Sequence, residues 1–265
     1  MLRMLLAAWL VAYLPGALFF RLPFAARERR AGLDAGERVF WHIVLSLAWS
    51  IGLVLILAAA ERYRFERLLA INGAVAIAIL IGARGRLRYR GSAARPTPAL
   101  LLPIALVALG AWRFFPPSEY IIGGKDPGVY VNEGIQIAQR GSLVIRDAVV
   151  AAIPADRRAQ FFPLSGHHEY ESQRFMGFFV QDVARGEVVG QFPHLFPASI
   201  AIGYGLDGLT GARRVVGWWS VLGLLAVYFA GAHLVGRAAA FAGAGLLSLH
   251  VITVGIWGMC RWIRM

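Results

Sequence analysis

Val39-Phe40-Trp41-His42-Ile43-Val44-Leu45-Ser46-Leu47-Ala48-Trp49-Ser50-Ile51-Gly52-Leu53-Val54-Leu55-Ile56-Leu57-Ala58-Ala59-Ala60 contains no Asp, Glu, Lys or Arg. As a helix rising about 1.5 Å per residue, it is long enough to cross the roughly 30 Å of hydrocarbon in a bilayer. A soluble helix would carry charged and strongly polar residues along one face, and no charged residue is present. Similar apolar runs recur at residues 5–20, 68–83, 99–115, 194–206, 215–235 and 238–259. The first is broken by Pro15-Gly16 and lacks a small-x-small cleavage site ahead of a polar mature start, so it reads as a span and not a leader.

Composition agrees. Hydrophobic residues make up 58% of the chain and charged residues 16%, with a mean hydropathy of +0.60. Ordinary soluble domains carry about 25% charged residues. The net charge of +12 does not read as a nucleic-acid surface, because the arginines cluster in short links between apolar runs, as topology signals do. The single cysteine, Cys260, excludes an intrachain disulfide and a multi-cysteine metal site.

Residues 84–98 hold five arginines and no acid. Placed in the cytoplasm by the positive-inside rule, this link puts residues 21–38 inside as well and sends the run 99–115 outward. Arg213-Arg214 then mark the far end of the short run 194–206 as cytoplasmic. The expectation is an all-α polytopic transmembrane bundle of about seven spans. It divides into an N-terminal module of three spans (1–98) and a second module (99–265) with one long outer loop (116–193). That loop carries nine of the chain's 15 acidic residues and only seven of its 27 basic ones.

Within the loop, Gly123-Gly124-Lys125-Asp126-Pro127-Gly128 reads as a tight turn that presents Asp126. A helix is expected over 129–140, ended by Gly141. Tyr130, Gly134 and Ile137 share one face, and Glu133, Gln136 and Arg140 another, the pattern of an amphipathic helix lying on the membrane surface. His167-His168 lack a third ligand at metal spacing. His233 and His250 lie inside apolar runs, where the expected partner of a neutral imidazole is a helix carbonyl.

The order of Asp126, Tyr130, Ala138, Gly141 and the stretch Phe192-Pro193-His194-Leu195-Phe196-Pro197 resembles the GT-C membrane glycosyltransferases, closest in pattern to the bacterial protein-mannosyltransferase-like group. Gly211 with Arg213 or Arg214, and Gly236-Arg237-Ala238-Ala239, resemble the family's later links. The resemblance covers about residues 99–259. It implies a bacterial inner-membrane enzyme that moves a sugar from a polyprenyl-phosphate donor to an acceptor outside the cytoplasm, with Asp126 as the catalytic carboxylate. Pro127 stands where the family often has a second acid, and Glu133 is the nearest substitute. Lys125, Arg140, Arg174, Tyr130 and His194 are the candidate substrate contacts. A divalent metal is a candidate cofactor, with Asp126, His167 and His168 as its ligands. Lipid-linked donor and membrane lipids are the expected partners. The family carries further spans beyond those seen here, so the chain reads as an incomplete member. Two other classes fit the same hydropathy: a transporter or flippase of a lipid-linked or anionic substrate, with paired broken helices, and a non-catalytic membrane scaffold.

Overall fold

A computed structural model describes residues 2–23, 27–83, 86–87, 98–115, 126–164, 166, 172–175 and 177–249. Most of them are helical. In chain order the elements are α1 (Leu2–Ala12), α2 (Leu14–Arg21), α3 (Arg27–Gly32), α4 (Ala35–Ala59), α5 (Phe65–Gly82), α6 (Leu101–Phe114) and α7 (Asp126–Arg140). There follow β1 (Val144–Arg146), α8 (Ala148–Ala152), α9 (Arg158–Phe161), β2 (Ser172–Phe175), β3 (Phe178–Asp182), β4 (Glu187–Gly190), α10 (Leu195–Val235) and α11 (Arg237–Leu249). Among the described residues four helical stretches are long and apolar enough to cross a membrane: Leu2–Arg21, Ala35–Ala59, Phe65–Gly82 and Leu195–Val235. The chain divides into two compact units. Unit 1 is Met1–Ser50, Leu69–Glu119 and Arg213–Met265, and unit 2 is Ile51–Leu68 and Tyr120–Ala212.

In unit 1, Pro15 decides how the first span packs. Lacking an N–H, it cannot bond to the carbonyl of Val11, and the helix breaks at Tyr13 (φ −139, ψ −53). In an apolar environment a freed carbonyl must find another donor. Ser46 and Ser50 of α4 supply it, their hydroxyls donating to Val11 O at 3.0 and 2.9 Å. Asn72 of α5 extends the network, donating to Leu10 O and Ser50 Oγ and accepting from Trp49 Nε1. Gly16 is required at the contact, because a side chain there would overlap the α4 backbone at His42 and Ser46.

The same unit fixes the direction of the later helices. Phe115, at the end of α6, lies against Gly217 and stacks edge-on with Trp218 at 5.1 Å. Gly110 faces Val221 and Leu224. At the opposite end Gly36 meets Leu100 and Pro103. There His233 bonds both oxygens of Glu37 at 3.0 and 3.1 Å, and Arg237 pairs with Asp34 at 3.1 Å. α6 and the 213–235 part of α10 are therefore antiparallel around a core of Phe40, Leu106, Leu225, Tyr228, Phe229, Ala240 and Ala244. The seven-span reading put residues 21–38 and the link at 236 on opposite sides of the membrane. The structure instead brings Asp34 and Arg237 together.

α10 is two helices joined at a break. Asp207 (φ −148, ψ 34) and Gly208 (φ 54, ψ −141) leave helical geometry. The positive φ is one that glycine adopts without strain. Gly211 comes back onto the carbonyl of Gly203 so closely that it has no room for a side chain, so the chain reverses there. The arm 195–206 is only about 18 Å long, well short of a hydrocarbon core of about 30 Å. The fifth sequence run is this half-length arm.

Unit 2 corrects the all-α expectation. It contains a four-stranded antiparallel sheet in the order β1-β4-β3-β2. β3 and β4 form a hairpin with Phe178 opposite Gly190 and Val180 opposite Val188. In its turn Asp182 accepts from Arg185 N at 2.8 Å, and Gly186 takes φ +71. Val180 and Val188 point into a small core with Val150 and Phe162, and Asp147 caps α8 through the N–H groups of Val149 and Val150.

Candidate functional site

α7 begins with Asp126 and Pro127 in its first turn, where an acid complements the helix dipole and proline loses nothing. It ends as the sequence predicts: Gly141 has φ +75 and donates to Ile137 O at 2.9 Å. Gly141 also lies against Tyr63, whose N–H donates to its carbonyl at 3.1 Å. The apolar face of α7 is covered by protein, in place of the lipid surface expected. Gly134 packs on Ile200 and the carbonyl of Pro197 in the arm of α10, and Ile137 is fully buried.

Glu133 overturns the expected division of faces. It is completely buried, with a relative exposure of 0%. One carboxylate oxygen, Oε1, is hydrogen-bonded to Nδ1 of His194. The other, Oε2, is buried without a partner among the described residues. Gly190, the last residue of β4, closes over the carboxylate, and any side chain there would overlap it. His194 is 30% exposed and is the member of the pair that reaches the surface. Burial raises the Glu133 pKa, with the bond to His194 opposing the shift. The bond to Glu133 raises the His194 pKa, against a smaller opposing effect of burial.

Tyr130, one turn before Glu133, completes the surface. Its ring lies 4.9 Å from Phe192 and 5.5 Å from Phe196. Asp126, Tyr130 and Glu133 follow one stripe of α7. Asp126 is exposed at the start of that stripe, about 10 Å along the axis from Glu133.

The other sequence candidates separate. Arg140 is exposed at the far end of α7, about 21 Å along the axis from Asp126. It borders a different groove of about 400 Å³ with Gln136, Gln139 and Asp147, so it does not share a site with Asp126. Lys125, His167, His168, His250 and the side chain of Arg174 lie outside the described residues. Among the described residues no three His, Cys, Asp or Glu side chains come together, and the Glu133 carboxylate is sealed beneath Gly190. His233 bonds a carboxylate, Glu37, and not the helix carbonyl that was expected. The pairing of residues 133 and 194 and the role of Gly190 have no local sequence signal. The flanking aromatics Phe192 and Phe196 were the available hint. Comparison with family models, curated proteins and solved structures finds no match to this chain.

Proposed function

We propose that the chain is a membrane glycosyltransferase of the GT-C kind, complete or partial, in a bacterial inner membrane with loop 116–193 outside. It transfers a sugar from a polyprenyl-phosphate donor to an acceptor hydroxyl. The bond between the anomeric carbon and the phosphate oxygen breaks, and a bond from the acceptor oxygen forms. The acceptor proton passes to a base, and polyprenyl phosphate leaves. Asp126 serves as that base.

The observation that carries the reading is the polar pair Glu133–His194, buried at the start of an apolar helical arm and flanked by Tyr130, Phe192 and Phe196. A lipid-linked sugar needs this combination of aromatic surface and hydrogen-bonding group at headgroup depth. Apolar helices of membrane-spanning length are the setting such a substrate requires.

The test is transfer of radiolabelled sugar from polyprenyl-phosphate donors in membranes, with the chain as it stands and with Asp126→Ala. Loss of a general base lowers the rate about 100-fold or more. Wild-type transfer by Asp126→Ala refutes Asp126 as the base, and no transfer by either chain overturns the reading for this chain.

A further inference from the structure

We propose that His194 presents a protonated Nε2 edge to a phosphate, with Glu133 as the positioning residue that holds the pair in that state. This deepens the reading above, and rests on it for the identity of the phosphate as a headgroup.

The proton bookkeeping follows from geometry. Nδ1 of His194 is committed to Glu133 Oε1, and Glu133 has no route to solvent of its own. Consider the pair carrying two protons. One is shared along the Nδ1–Oε1 contact, and the other is on Nε2. Whether the shared proton sits on nitrogen or on oxygen, the pair has no net charge and Nε2 is a donor. Removing one proton leaves Glu133 ionised beneath Gly190, with Oε2 buried and unpartnered among the described residues. That state is costly, because a buried charge needs full hydrogen-bonding compensation. The pair therefore holds its second proton to higher pH than a free histidine, and it titrates as a unit.

Among the described residues, Glu133 is the charged group bearing on His194. Tyr130 is the polar neighbour on the same stripe of α7, and Asp126 and Arg140 lie about two turns away in either direction. β4 contributes Gly190 and the following Gln191, and the flanking residues of His194 itself are aromatic or apolar. His194 immediately precedes α10, whose N-terminal end carries the positive pole of the helix dipole.

The experiment reads modification of His194 by diethyl pyrocarbonate, which attacks the unprotonated imidazole, using peptide mass spectrometry of the full chain across pH. The wild-type midpoint is expected above the ordinary histidine value, and Glu133→Gln is expected to bring it back toward about 6.5. A wild-type midpoint at or below that value overturns the proposal even if the variant fails to fold. So does a Glu133→Gln midpoint equal to that of the wild type. At fixed pH and ionic strength, inorganic phosphate and micellar polyprenyl phosphate are each tested for protection, with several-fold slowing expected. Protection by the lipid assigns a headgroup. Protection by inorganic phosphate alone sustains a phosphate site but detaches it from the glycosyltransferase reading, and protection by neither overturns it. None of these readouts needs sugar transfer, so the two ideas fail separately.

Discussion

Among the described residues there are two glutamate–histidine pairs, one in each unit, and they are built differently. In unit 1, Glu37 gives both oxygens to His233, the histidine side chain is 62% exposed, and the Asp34–Arg237 ion pair reinforces the same helix ends. In unit 2, Glu133 gives one oxygen to His194 and keeps the other buried and, among the described residues, unpartnered. The first pair is a satisfied clasp between the start of α4 and the end of α10. The second holds an unmet hydrogen-bonding capacity under a partly open imidazole, the arrangement expected where a group is kept for chemistry. The same two residue types thus differ in burial and in the count of satisfied oxygens.

The largest expected effect is all-or-none and concerns the clasp. It requires residues 28–37 and 233–237 to share one side of a membrane. With Cys260→Ala as background, Glu28→Cys and Arg237→Cys should both react with a membrane-impermeant maleimide from the same face of sealed vesicles. Labelling from opposite faces would restore seven spans and break the clasp.

That prediction also shows where the sequence stopped being legible. The span of α4 could be read from residues 39–60, because every position in a charge-free run says the same thing. Gly141 was readable for a similar reason, as a C-terminal glycine has a local job. The reversal at Asp207-Gly208 was not. An apolar arm of half length has the composition of a span, and only the approach of Gly211 to Gly203 reveals the turn. The sheet escaped because its strands are three to five residues long and interrupted by turns. Glu133 looked like a surface acid because helical periodicity places it beside Gln136 and Arg140. What buries it is β4, which lies more than fifty positions later.

The next effect in size contrasts glycines beside the two pairs. Gly190→Val forces a branched side chain into the Glu133 carboxylate and should destabilise by about 3 kcal/mol, the upper end of ordinary overpacking. Gly223 lines the groove of about 520 Å³ beside Glu37 and His233, and a side chain there would meet nothing within 4 Å. Gly223→Ala should therefore be neutral, or stabilise by up to about 1 kcal/mol through helix propensity. Thermal unfolding in detergent measures both, and equal losses would remove the distinction between a sealed site and an open clasp.

Truncating the acids comes next. Glu133→Ala leaves a void under Gly190 and a stranded Nδ1, partly relieved because His194 reaches water, and should cost about 2 kcal/mol. Glu37→Ala should cost about 1 kcal/mol, since the exposed His233 recovers hydration in full. A reversed order would make the clasp the more demanding pair.

The smallest effect tests whether the clasp is cooperative. Arg237 and Asp34 are 48% and 35% exposed, so their attraction is screened and each side chain gives up rotamer freedom to make it. A double-mutant cycle of Asp34→Ala and Arg237→Ala should give a coupling of about 0.5 kcal/mol, falling as salt rises. Asp34→Ala alone should cost more than Arg237→Ala, because Asp34 also accepts from Glu37 N at 2.8 Å at the start of α4. Repeating the cycle on Glu37→Ala separates the two possibilities. If the coupling collapses, the ion pair depends on the glutamate–histidine bond beside it, and the four residues act as one fastening. If it persists unchanged, the two contacts are independent, and the clasp is the sum of two weak bonds.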